Sequence, residues 1–226
     1  MIMDKNKGKA YGIIILVLIC CGIMAWVEGV LRPVYPVKSA LKLTVFLGGA
    51  GLYVLLTRDS GPFRAFRRPQ RIKLAALLSL GVLVFLLGGY LLLSPWLDLS
   101  AIPENLAAKE GITAKTFPLA AAYITLCNSL LEEFFFRGFA FLTLYRAGYT
   151  KLAYGFSALA FALYHVSITS NWGSPVLILL MVAGLTAAGL LFNWLDREGS
   201  LLPSWLVHMG ANLGTNTVGF ILFGIL

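Results

Sequence analysis

The sequence predicts an all-α, polytopic transmembrane bundle of about seven spans around an intramembrane polar cavity. Three observations carry that expectation. The 226 residues are 59% hydrophobic and only 12% charged, about half the charged fraction of a soluble domain. The apolar residues gather in runs that reach the ~20 residues a span needs, and the mean hydropathy is +0.84. Finally, Glu132, Glu133, Arg137, His165 and His208 stand inside such runs, where an ionisable group costs at least ~2.5–3.5 kcal/mol and therefore marks a partner, a cavity or a function.

The runs lie near 11–31, 39–57, 72–94, 117–145, 152–170, 174–195 and 201–225. The first follows Lys5, Lys7 and Lys9 like a secretory signal, but Ile13 to Trp26 leads to no A-x-A-like cleavage site, so a retained signal-anchor helix is expected. Leu18-Ile19-Cys20-Cys21 falls short of a lipoprotein signal because a cysteine, not a small residue, precedes Cys21. Arg32, Lys38 and Lys42 are expected in the first external loop. Arg58, Arg64, Arg67, Arg68, Arg71 and Lys73 fill the segment before the third. The polar segment 95–116 carries Asp98, Glu104, Lys109, Glu110 and Lys115. The fourth run, at about 29 residues, exceeds the hydrocarbon thickness and is expected to tilt or protrude. The last three runs are shorter and joined by tight turns, which leaves room for a re-entrant segment. Prolines, among them Pro33, Pro62, Pro95, Pro118, Pro175 and Pro203, fall near run ends, where a missing amide donor does least damage.

The net charge of +8 sits in short segments flanking the runs. That is a topology signal and a surface for anionic lipid, rather than a nucleic-acid interface. It places the N-terminus, the 58–73 loop, the Arg146–Lys151 turn and the Asp196–Glu198 turn inside, and 95–116 outside. Cys20, Cys21 and Cys127 form no C-x-x-C pattern and read as small apolar residues. The 23 glycines include Gly48-Gly49, Gly88-Gly89, Gly184 and Gly189 but no G-x-x-x-x-G-K loop, so they read as close helix contacts. Neither an internal repeat nor a soluble linker divides the chain, and one integral membrane domain over residues 1–226 is expected.

Residues four apart share a helix face, whereas neighbours point ~100° apart. Glu133 and Arg137 therefore form an i,i+4 pair in the favourable order, while Glu132 points elsewhere, towards Phe135 and Phe136. This asymmetry predicts a structural Glu133 held by Arg137 and a Glu132 free to act on water. Asn128, one turn before Glu132, is placed to orient its carboxylate. His165 ends Phe161-Ala-Leu-Tyr-His165, and His208 pairs at i,i+4 with Asn212 in His208-Met-Gly-Ala-Asn212. Neither histidine lies at an interface as Trp26, Trp96 and Trp172 do. Tyr164 and Ser167 are secondary candidates, and Ser129 has no nearby histidine to make it a nucleophile.

Two chemistries fit this set. Glu132 and His165 can activate a water that attacks a peptide carbonyl, with His208 and Asn212 donating to the oxyanion, where one donor is worth ~2.7–4 kcal/mol. Alternatively, Glu132, His165 and His208 can bind a zinc ion that activates the water, although no H-E-x-x-H occurs. Two non-enzymatic classes compete: a membrane scaffold or immunity protein that sequesters a peptide, and a proton-coupled transporter. The polar set exceeds what a scaffold requires, and a transporter of two halves would show a repeat.

Glu132-Glu133-Phe-Phe-Phe-Arg137, Phe161-x-x-x-His165 and His208-x-x-x-Asn212 resemble the E-E-x-x-x-R, F-x-x-x-H and H-x-x-x-N motifs of the CPBP intramembrane proteases. That family includes the type II CAAX prenyl endopeptidases and bacterial relatives linked to bacteriocins and peptide signals. The resemblance implies a catalytic core over about 117–226 and a glutamate-based intramembrane endopeptidase. Glu132, His165, His208 and Asn212 would be catalytic, with Glu133 and Arg137 supporting. It implies no cofactor in preference to zinc, and a membrane-associated protein or peptide as substrate. The small size resembles the prokaryotic branch, implying a cytoplasmic membrane location.

Overall fold

The computed structural model describes residues 2–96, 98–169 and 175–226. Eight helices account for most of them. They are α1 (Ile2–Trp26), prolonged by a π-helical turn at Val27–Leu31, α2 (Tyr35–Thr57), α3 (Ile72–Leu93), α4 (Ala101–Glu110), α5 (Phe117–Arg146), α6 (Thr150–Thr169), α7 (Pro175–Asp196) and α8 (Leu202–Leu222). Pro36, Pro118 and Pro203 sit in the first turns of α2, α5 and α8, where the absent amide would have had no intrahelical partner. Gly148 (φ +92°) and Gly199 (φ +101°) make the tight turns after α5 and α7, in a backbone region that side chains disfavour.

Each of the seven apolar runs is a long helix. Stretches of α1, α2, α3, α5 and α7 are long and apolar enough to cross a membrane. Helices α6 and α8 differ in hydropathy, not reach: their 20 and 21 residues extend ~30 Å at 1.5 Å per residue. Their lower hydropathy comes from polar side chains turned into the bundle, including Ser157, His208 and Asn216. Trp26 and Trp96 are exposed at helix ends, as an aromatic belt requires; Trp172 lies outside the described residues.

One expectation changes. Lys38 and Lys42 are not in a loop, because α2 starts at Tyr35 and carries both as buried residues. Carboxylates make this tolerable: Lys38 pairs with Glu28 (2.6 Å) and Glu110 (2.8 Å), and Lys42 pairs with Glu132. The long fourth run is one helix over Phe117–Arg146. It holds two π-helical segments, Ile124–Asn128 and Phe134–Phe141, around the α-helical turn Ser129–Glu133. Such segments widen the helix and concentrate at functional sites.

Helix α5 is the centre of the bundle, with Phe135, Phe136, Phe139 and Phe141 fully buried. Phe135 stacks on Phe46 of α2 with centroids 3.9 Å apart, and Phe136 meets Phe161 of α6 edge-on at 5.5 Å. Backbones approach closely at Gly189, where an added Cβ would lie 2.9 Å from Ala158 Cα. Ser79 of α3 donates to the Leu206 carbonyl of α8 at 2.8 Å. The segments expected inside meet at one end: Lys9 pairs with Asp59 (2.8 Å), Arg146 donates to the Gly61 carbonyl (2.9 Å), the Leu201 amide donates to Ala65 (2.9 Å), and Arg71 pairs with Glu198.

Candidate active site

The α-helical turn between the two π segments presents Glu132 and Glu133, which are 2% and 0% exposed. Their different directions separate their partners. Glu132 Oε1 receives the Lys42 ammonium and, at 3.1 Å, the Asn128 amide, while Lys42 also donates to Asn128 Oδ1 at 2.7 Å. Glu132 Oε2 faces two imidazoles: His165 Nε2 at 3.8 Å and His208 Nε2 at 3.7 Å.

Each histidine is anchored through its other nitrogen. His165 Nδ1 bonds the Phe161 carbonyl at 2.8 Å, and His208 Nδ1 bonds Glu133 Oε1 at 2.8 Å. A carbonyl and a carboxylate only accept, so both Nδ1 atoms carry hydrogen and both Nε2 atoms are aimed at Glu132. The F-x-x-x-H spacing thus has a local cause, since residue i−4 offers the carbonyl that orients the ring.

Glu133 and Arg137 are paired as their spacing predicts, with Nε to Oε2 at 3.3 Å and Nη1 donating to Oε1 at 3.4 Å. The guanidinium lies 4.1 Å from the Phe161 ring centroid and 4.9 Å from that of Phe192. Two aromatic quadrupoles therefore lie against this cation and favour it. Glu133 has a second partner that the spacing argument omitted, His208, so it joins α5 to α8. Asn212 is close in chain but turned differently: its Nδ2 donates to the Ile124 carbonyl at 3.1 Å, at the start of the first π segment.

A cavity of about 510 Å³ contains Glu132, His165, His208, Asn212 and Lys42 in its wall and extends to Glu110 on α4. Tyr164 and Ser167 also line it. Ser167 donates to the Tyr164 carbonyl at 2.7 Å, and the Tyr164 ring lies 5.0 Å from the Lys42 ammonium. Ser129 is outside this wall and accepts from Trp205 Nε1 at 3.1 Å, a packing role. Lys42 was missed as a site residue because it was assigned to the external loop, although it stands just inside the second run. A lysine within reach of an apolar run, with no acid in that run, was the available signal.

The donor set fits zinc poorly. Among the described residues no three His, Cys, Asp or Glu side chains are arranged to hold an ion. The Lys42 ammonium takes one oxygen of Glu132, Oε1, and the other faces the two histidines.

Fold and site together define a class: an integral membrane helical protein with a buried glutamate–histidine centre in a cavity between its helices. Residues 114–214 match the family model described as Rce1-like, type II CAAX prenyl endopeptidase. That stretch, a little under half of the chain, is similar to this family and holds all three motifs from Glu132 to Asn212. No curated protein and no solved structure gives a match. Lys42 lies outside the matched stretch.

Proposed function

We propose that this protein is a metal-independent intramembrane endopeptidase that cleaves a membrane-associated or lipidated protein or peptide. The observation supporting it is the convergence of His165 Nε2 and His208 Nε2, at 3.8 and 3.7 Å, on one oxygen of Glu132 inside a cavity. Those gaps exceed a direct hydrogen bond and suit a bridging water. Glu132 takes the proton of that water as it attacks the scissile carbonyl, and His165 orients it. His208, held through Nδ1 by Glu133, turns its Nε2 towards the developing oxyanion. Asn212 contributes its remaining amide hydrogen from the next turn of α8. Glu133 and Arg137 hold His208 in place.

Positive residues in short loops orient membrane proteins, so the end carrying the 58–73 loop is cytoplasmic and the N-terminus is inside. The cavity, which reaches α4, then opens on the outer side. That favours an exported peptide precursor or the membrane anchor of a secreted protein over a cytoplasmic prenylated one, in a prokaryotic cytoplasmic membrane.

The test is cleavage of a fluorogenic transmembrane-peptide library by wild type, Glu132→Ala and His165→Ala, with and without chelator. Loss of cleavage in both folded variants, with wild-type cleavage surviving chelation, is expected. Normal cleavage by Glu132→Ala refutes the catalytic assignment, and chelator-sensitive cleavage refutes the metal-independent one.

A further inference from the structure

A second cavity, of about 170 Å³, lies at the basic end of the bundle and is lined by Lys9, Asp59, Arg64, Arg67, Thr143 and Arg146 among others. Lys9 and Glu28, at the rim of the large cavity, are nineteen residues apart along α1 and its π-helical turn, or ~28 Å at helical rise. The two cavities therefore sit at opposite ends of the membrane-spanning part, and the second has no share in the proposed chemistry.

Its charges do not balance internally. Asp59 is the sole acid in the wall. It is already engaged by the Lys9 ammonium at 2.8 Å and the Gly61 amide at 3.0 Å. Arg146 is fixed by two backbone carbonyls, Gly61 at 2.9 Å and Arg64 at 3.4 Å, which orient the guanidinium without neutralising it. Arg64 and Arg67 have no side-chain acceptor among the described residues, and both repel Arg146 electrostatically. Three guanidinium groups and Lys9 thus border one concave site in which Asp59 is the one acid among the described residues.

The surrounding backbone permits this crowding. A Cβ on Gly199 would lie 3.2 Å from Arg67 Cδ and 3.3 Å from Arg146 Nη2, so two of the cations approach through space that only a glycine leaves open. Beside the pocket, Phe63 and Phe66 are 50% and 53% exposed. They flank cations at the level where α1 begins and α2 and α5 end, which is the placement of side chains that enter the headgroup layer. Planar guanidinium forks match phosphate oxygens in pairs.

We propose that this pocket binds the phosphate of an anionic phospholipid headgroup in the leaflet next to the basic loop. The phosphate sits among Arg64, Arg67 and Arg146, and the acyl chains run along the apolar faces beside Phe63 and Phe66.

The full chain, purified in detergent, is titrated with dioleoylphosphatidylglycerol, dioleoylphosphatidylcholine or inorganic phosphate while its thermal unfolding and its native mass spectrum are followed. Phosphatidylglycerol is expected to raise the melting temperature by about 5 °C at large excess and to leave one retained lipid in the spectrum, with phosphatidylcholine giving neither. Arg64→Gln/Arg67→Gln, both exposed positions, should lose the shift and the retained lipid. Arg68→Gln/Lys73→Gln, the same charge change outside the pocket, should keep them. An equal response of the first double variant and wild type, or equal losses in the two double variants, overturns the pocket. A full shift with inorganic phosphate that phosphatidylglycerol cannot increase overturns the lipid assignment in favour of a free anion.

Discussion

Replacing Lys42 with methionine keeps the length of the side chain and removes its charge. Lys42 and Glu132 side chains are 7% and 3% exposed, so water replaces little of what is lost. Two unit charges ~4 Å apart at an effective dielectric of ~20 attract by ~4 kcal/mol, and breaking a buried pair costs ~3–5 kcal/mol. The Asn128 amide, 3.1 Å from Glu132, bonds the carboxylate in both proteins and so drops out of the difference. At the lower end of that range, about 3 kcal/mol, Lys42 holds Glu132 as an oriented carboxylate, which corresponds to a fall of roughly 10²-fold in kcat. Lys42→Arg keeps the charge and should fall by no more than about tenfold. The assay is turnover of an internally quenched transmembrane peptide in proteoliposomes, with melting curves to establish that both variants are folded. A folded Lys42→Met enzyme whose kcat stays within about threefold of wild type refutes the reasoning.

Three more perturbations test the frame around the site. Glu133→Gln leaves the fully buried Arg137 without its anion and weakens the anchor of His208, so it should cost ~3–5 kcal/mol of stability, seen as a large drop in melting temperature; an unchanged melting curve would remove the structural role. Gly189→Val puts a branched side chain where even a Cβ meets Ala158 Cα at 2.9 Å, and should destabilise by ~1–3 kcal/mol through overpacking, again read from thermal unfolding. The third concerns pH. Burial opposes ionisation of Asp59, but Lys9 and the Gly61 amide outweigh it and hold the carboxyl below the ordinary aspartate range. Because the folded value is the lower one, the stabilisation is complete above the unfolded value and disappears as pH falls through the folded one. Melting temperature followed from neutral to strongly acidic pH should therefore fall more steeply in wild type than in Asp59→Asn, and parallel curves would contradict the assignment.

How much of this was legible in the sequence depends on the distance over which each interaction acts. Helices were legible because a chain in hydrocarbon must satisfy its backbone bonds within each segment, which leaves a run of apolar residues one structure to adopt. Pairs along one helix were legible for the same local reason. Glu133 with Arg137, Asn128 with Glu132, and Phe161 with His165 each stand four residues apart and meet as that spacing requires. The intrahelical π segments were not legible, since an apolar run of about 29 residues fits a tilted helix as well as a widened one.

By itself, the sequence determined an all-helical membrane protein with a glutamate–histidine centre, because polar groups are too costly in hydrocarbon to be placed there without a use. The tertiary structure alone decided what each of those groups touches. Lys42 is ninety residues from Glu132 in the chain and pairs with it only when α2 packs on α5. His208 bonds Glu133 across seventy-five residues and so turns its Nε2 towards Glu132. Asn212 spends an amide hydrogen on Ile124 because α8 lies against the first π segment. Periodicity fixes the face on which a side chain stands, but a charge is neutralised by whichever helix folds against that face, and helix-to-helix packing carries no local spacing to read.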